Sequence, residues 1–186
     1  MKGFGDQTKS KKKLNHFRTK QYHQQIMNEA VKLHSAGNFL EAKKYYHKLI
    51  QNGVEDSNVF NNYGIILVNI GELKEAELSI RKAIELNPKD PSAYANLGGI
   101  LINIGKLKEA ELSIRKAIEL NPNYADAHYI LGNLLKDLDN LEDAELSIRK
   151  AIELNPRDSS AHTKLGGIFL KLGKFKDAEL SIRKAI

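Results

Sequence analysis

The stretch SIRKAIELNP, Ser79 to Pro88, recurs unchanged at Ser113 to Pro122 and at Ser147 to Pro156, each copy 34 residues after the last. A further copy begins at Ser181 and runs to Ile186. A fixed period of 34 residues is the mark of a helix–turn–helix unit stacked on copies of itself, because a unit that small cannot bury its apolar face alone and must cover it with a neighbour. An all-α solenoid of helical hairpins is therefore the expected architecture. Binding is the expected function, since stacked hairpins build a groove and seldom a catalytic pocket.

With the proline as position 32, the units are 23–56, 57–90, 91–124, 125–158 and 159–186, five in number with the last incomplete. Position 8 is Gly64, Gly98, Gly132 and Gly166; position 20 is Ala42, Ala76, Ala110, Ala144 and Ala178; position 27 is Ala83, Ala117, Ala151 and Ala185. Small residues at these places let two helix backbones come close. Leu97, Leu101, Ile104 and Leu107 surround them, with Ile114 opposite, at the spacing of an apolar helix face rather than the alternation of a strand. Gly71, Gly105 and Gly173 at position 15 mark where the first helix ends and turns, with Asp139 in that place in the fourth unit. The second helix stops at Asn-Pro, where proline disfavours helix in the residue before it and brings no N–H of its own. Glu77/Arg81, Glu111/Arg115 and Glu145/Arg149 lie four apart in the favourable order and read as a solvated helix face.

Tyr94, Leu97, Gly98, Leu101, Ala110, Ile114, Ala117 and Pro122 together resemble the tetratricopeptide repeat, and the resemblance covers residues 23–186. It implies a right-handed superhelix in which the first helices of successive hairpins line a concave groove. The first unit departs from the pattern, with Ala30 for Gly, Leu49 for Ala and Val54 for Pro, and reads as a diverged terminal repeat whose interior is Phe39, Ala42 and Tyr46.

By that resemblance the groove residues fall at positions 2, 5, 6, 9, 12 and 13. Position 6 is Asn28, Asn62 and Asn96 in three consecutive units, and position 13 is Asn69 and Asn103 in two. An asparagine amide offers one acceptor and two donors, so it can bond both the N–H and the C=O of an extended peptide whatever that peptide's sequence. Rungs spaced at the helix packing distance of about 10 Å would meet about every third residue of a chain advancing ~3.3 Å per residue. Such a row is similar to the asparagine ladder in the arrays attached to O-linked N-acetylglucosamine transferases, although Ile130 and Lys164 replace asparagine in the later units. Ile65, Val68 and Ile102 are the apolar members of the expected peptide-binding groove. Lys136, Lys164 and Lys171 add positive charge, but without the Lys-Asn order that a carboxylate clamp of this family needs.

The remaining readings are exclusions and end effects. His128 and His162 share position 4 with Phe60 and Tyr94 and read as packing residues; no metal set, triad or cofactor motif accompanies them, and the Gly98-Gly99 and Gly166-Gly167 pairs fall within helices. The chain has no Cys, which excludes disulfides and thiolate sites and fits a reducing compartment. Its longest mostly apolar stretch, Tyr63 to Ile70, is too short for a bilayer, and cytoplasmic residence is expected. The whole basic excess, net +6, sits in residues 1–22: Lys2, Lys9, Lys11, Lys12, Lys13, Arg18 and Lys20 against Asp6. That segment is expected to be a disordered extension, with an anionic partner as the functional option. At the other end Leu180 and Ile186 are candidates for an uncapped face, which suggests a larger protein cut short, the favoured reading, or end-to-end self-association, or a marginal last repeat. Because arrays of this type in bacteria often precede a glycosyltransferase, sulfotransferase or methyltransferase domain, a substrate-recruiting part of a longer enzyme is the alternative to a noncatalytic scaffold.

Overall fold

The structure is a computed structural model that describes the backbone of residues 4–185 and the side chains from residue 18 onward. Among the described residues it holds ten α-helices and no strand. Each 34-residue unit is one hairpin. The first helices are α1 (Phe4–Ser35), α3 (Ser57–Asn69), α5 (Pro91–Asn103), α7 (Ala125–Asp137) and α9 (Ser159–Lys171). The second helices are α2 (Phe39–Gln51), α4 (Leu73–Leu86), α6 (Leu107–Leu120), α8 (Leu141–Leu154) and α10 (Phe175–Arg183).

The chain divides into two compact units, Met1–Leu86 and Asn87–Ile186. In the first, α1 packs on α2, α2 on α3 and α3 on α4. In the second, the hairpins α5–α6, α7–α8 and α9–α10 are joined by contacts of α6 with α7 and α8 with α9, and the first helices α5, α7 and α9 meet in sequence.

The helix ends follow from local chemistry. Gly71 has φ +83°, and it closes a Schellman motif in which the Gly71 N–H donates to Val68 O at 3.0 Å and the Glu72 N–H to Leu67 O at 2.8 Å. Asp139 takes the same left-handed conformation at φ +60° and closes the same motif, its N–H donating to Lys136 O and that of Asn140 to Leu135 O. Among described residues it is the one non-glycine with positive φ. The aspartates before α3, α5 and α9 cap them: Asp56, Asp90 and Asp158 accept from the backbone N–H two residues on, at 2.8–2.9 Å. The first unit, which lacks the Asn-Pro exit, ends α2 with a left-handed Gly53 instead, and the Val54 N–H donates back to Leu49 O.

The seam within each hairpin is the one expected. Ala42, Ala76, Ala110, Ala144 and Ala178 are buried, as are Tyr46, Ile80, Ile114 and Ile148 at position 24. A Cβ on Gly132 would sit 2.6 Å from Ile148 Cγ1 and 3.2 Å from Ala144 O, so only glycine allows this approach. Leu97 and Leu101 are buried, whereas Ile104, Leu107 and Phe39 sit at the hairpin turn and are half-buried. The helix α1 spans Phe4–Ser35 and so runs from the basic N-terminal segment into the first hairpin. Nothing after Gly5 in that segment breaks a helix, and its Lys, Gln and Leu are good helix formers that carry the helix into the first hairpin. Residues 1–3 lie outside the described residues, and so do the side chains of Lys2, Lys9, Lys11, Lys12 and Lys13 that carry the anionic-partner expectation. No helix among the described residues is long and apolar enough to cross a membrane.

Candidate peptide-binding groove

Packing decides which face of each first helix is left for a ligand. In α3 the buried set is Val59, Asn61, Tyr63, Gly64, Ile66 and Leu67, and in α5 it is Ala93, Ala95, Leu97, Gly98, Ile100 and Leu101. The residues between them form a stripe at helical spacing: Asn62, Ile65 and Asn69 on α3, and Asn96, Gly99 and Asn103 on α5. Of the expected groove residues, Asn62, Ile65 and Asn69 lie on the α3 stripe, and Asn96 and Asn103 on the α5 stripe. Asn28, Asn62, Ile65, Val68 and Asn69 belong to the first compact unit, and Asn96, Ile102 and Asn103 to the second.

The asparagines differ in their surroundings. Asn28 is exposed, and its Oδ1 accepts from Gln24 Nε2 one turn earlier at 3.0 Å. Asn69 is exposed, and its Nδ2 donates to Ile65 O of its own helix at 3.0 Å. Asn62 is half-buried and lies against the Tyr46 phenol. Burial raises the pKa of that phenol, the Asn62 side chain acts in the opposite direction, and the hydroxyl has no well-aligned hydrogen-bond partner. Asn96 is half-buried and Asn103 exposed, and Ile65, Val68 and Ile102 are half-buried.

Further along the second unit the stripe changes chemistry. It reads Ile130, Asn133 and Asp137 on α7, then Lys164, Gly167 and Lys171 on α9. Asn133 Oδ1 is buried without a hydrogen-bond partner. A Cβ at Gly99 or Gly167 would meet nothing within 4 Å, so the floor there is open rather than filled. Lys171 pairs with Asp139 at 3.2 Å and Lys136 with Asp137 at 3.1 Å, so two of the expected groove cations already have partners.

Two features escaped the reading of the sequence. His128 and His162 do more than pack: each Nε2 lies 2.9 and 3.1 Å from the carbonyl of Pro122 and Pro156, respectively. A carbonyl only accepts, so each Nε2 carries the hydrogen and ties the Asn-Pro turn to the helix that follows. The second feature is a set of exposed leucines at position 22, Leu78, Leu112, Leu146 and Leu180, which are 69%, 71%, 66% and 58% exposed. Their spacing from the buried positions 20, 24 and 27 was the available signal, since a residue two after a buried one points away from it on a helix. The exposure of Leu180 is accordingly a property of its register position and not of the last hairpin. Ile186 lies outside the described residues.

No cluster of three or more His, Cys, Asp or Glu suited to a metal ion occurs among the described residues. These features define a helical-hairpin repeat protein of 34-residue period. Family models described as the tetratricopeptide repeat match residues 57–90, 91–124 and 125–158, more than half of the chain and in the register read above. The chain belongs to the tetratricopeptide repeat family. Among solved structures, MamA is 26% identical with a TM-score of 0.72 and covers 84% of this chain and 91% of its own. A thermophilic repeat protein of Thermus thermophilus, TTC0263, is 19% identical with a TM-score of 0.77, over 88% of this chain and 89% of its own. YrrB, described as a repeat protein with an unusual peptide-binding site, is 23% identical with a TM-score of 0.65, over 87% and 83%. No curated protein sequence matches the chain.

Proposed function

We propose that this chain is a noncatalytic protein-interaction scaffold that holds an extended peptide or a partner helix against the exposed face of its first helices, in a reducing cytoplasm. The observation that carries the reading is the recurrence of asparagine at one register position of successive first helices, Asn28, Asn62 and Asn96. An amide there recognises peptide backbone rather than a particular side chain, and Ile65, Val68 and Ile102 beside it supply apolar contact. The family assignment supports the reading, as does the peptide-binding site named for YrrB on the same fold.

The test begins with a peptide selected from a randomised library for binding to the whole chain. Asn62→Ala combined with Asn96→Ala is expected to weaken that peptide at least tenfold with the helical circular dichroism unchanged. Because Asn62 lies against Tyr46, Tyr46→Phe serves as a control that changes the same buried neighbourhood without touching the row. Equal binding by the double variant and the wild type removes the asparagine row from the mechanism.

A further inference from the structure

Position 6 of the first helices changes chemistry along the second compact unit: Asn96 on α5, Ile130 on α7 and Lys164 on α9. All three residues are half-buried, and the three helices meet in sequence. An amide is thus followed by an alkyl group and then by an ammonium, one to each helix. Lys164 differs from the other lysines noted on this face. Lys136 is paired with Asp137 at 3.1 Å and Lys171 with Asp139 at 3.2 Å, whereas Lys164 makes no ion pair among the described residues. The two other acids near it in register do not satisfy it. Asp126 is exposed in the first turn of α7 and makes no ion pair with it, and Asp158 caps α9, its Oδ1 accepting from the Ser160 and Ala161 N–H groups. Gly167 stands three residues beyond Lys164 on the same stripe, and a Cβ there would meet nothing within 4 Å, so there is room for a ligand's side chain beside the ammonium. A half-buried lysine lays its alkyl stem on the protein surface and keeps its charge accessible to an anion.

We infer that the second-unit part of the groove selects peptides that carry an acidic side chain, and that Lys164 is the residue that reads it; this rests on the peptide-groove reading above. The spacing follows from helix packing. Packed helices lie about 10 Å apart, and a peptide in the extended polyproline II conformation rises ~3.1 Å per residue with three residues per turn. Side chains about three residues apart in such a peptide stand on one side, at the spacing of neighbouring helices. The peptide therefore gives its backbone to the Asn96 amide, an apolar side chain to Ile130, and Asp or Glu, about three residues further on, to Lys164. A carboxylate is the anion that fits. One free ammonium balances one negative charge, whereas a phosphorylated side chain carries close to two and is met by clustered arginines.

The experiment selects peptides for binding to the whole chain from a randomised synthetic library, acetylated and amidated at its ends so that charge comes from side chains alone. Selected peptides are expected to carry Asp or Glu about three residues from an apolar residue. Replacing that acid by its amide is expected to weaken binding to the wild type roughly tenfold, as for a hydrogen bond between charged groups, and to leave binding to Lys164→Ala unchanged. That difference isolates the pair as a double-mutant cycle does. Lys164→Glu is expected to turn the preference at the same place to Lys or Arg. Because Lys164 holds no ion pair within the chain, the thermal midpoint of both variants is expected to hold. Peptides selected without an acidic preference overturn the proposal and leave the groove reading standing. An amide replacement that weakens the wild type and Lys164→Ala alike does the same. A library that yields no binder overturns the groove reading itself, and this proposal with it.

Discussion

At the scale of single residues, the glycines separate into two kinds that the sequence writes identically. Gly132 faces Ile148, and a methyl there has nowhere to go, because Ile148 is fully buried and branched at Cβ. Gly132→Ala gains about 1 kcal/mol of helix propensity but incurs the 1–3 kcal/mol or so typical of overpacking. A net loss of stability is expected, read as a lower urea midpoint. Gly99 sits one residue after a glycine of the same seam and meets nothing within 4 Å. There the propensity term stands alone, and Gly99→Ala is expected to raise the midpoint by up to about 1 kcal/mol. Asp139 is the converse case, a side chain where the backbone requires φ +60°. Asp139→Gly is expected to stabilise by roughly 0.5–1 kcal/mol, its exposed ion pair with Lys171 contributing little in return.

At the scale of elements, two of the hairpin seams carry a charged contact at the same place with opposite polarity. Lys43 of α2 meets Glu72 at 2.6 Å, and Glu145 of α8 meets Lys174 at 2.8 Å. The register positions, 21 and 16, are the same and the signs opposite. The second contact also gathers Arg149, bonded to Glu145 at 2.8 Å, and the Phe169 ring, over which Arg149 and Lys174 stand at 5.3 and 5.6 Å. Burial pushes the Glu145 carboxyl up, but the hydrogen bonds from Lys174 and Arg149 outweigh it and hold the group below its ordinary 4.5. A carboxyl held low in the folded state contributes stability that is fully present above its unfolded value and lost as pH falls through the folded one. Glu145→Gln is therefore expected to lower the thermal midpoint at pH 7, and the gap from wild type to close as pH falls below 4.5. A gap of the same size at low pH excludes ionisation of Glu145 as the cause.

At the scale of the molecule, the stack is a sum of hairpins and seams, so whole units are removable where the new seam matches. Excising 125–158 sets Glu111 in the place of Glu145 opposite Lys174, and a cooperative unfolding transition with the same helicity per residue is expected, at a lower midpoint. Excising 57–90 sets Lys43 opposite Lys106, two like charges at the seam, and the loss of midpoint is expected to be larger. Calorimetry of the two deletions, equal in length, decides between seam chemistry and mere size.

The 34-residue period, the hairpins, the turns at Gly71, Gly105 and Asp139 and the close approach at Gly132 were all legible in the chain, because each depends on residues near in sequence or repeated at fixed spacing. The recurrence of asparagine at one register position was legible as well. What surrounds each asparagine was not. Asn28 is bonded within its own helix and Asn62 lies against Tyr46 of the preceding hairpin, since a side chain's neighbours come from whichever hairpin packs beside it. For the same reason only the tertiary structure decided that His128 and His162 bind the carbonyl of the preceding turn. Periodicity dictates which residues recur together; the packing of one hairpin on the next dictates what each of them touches.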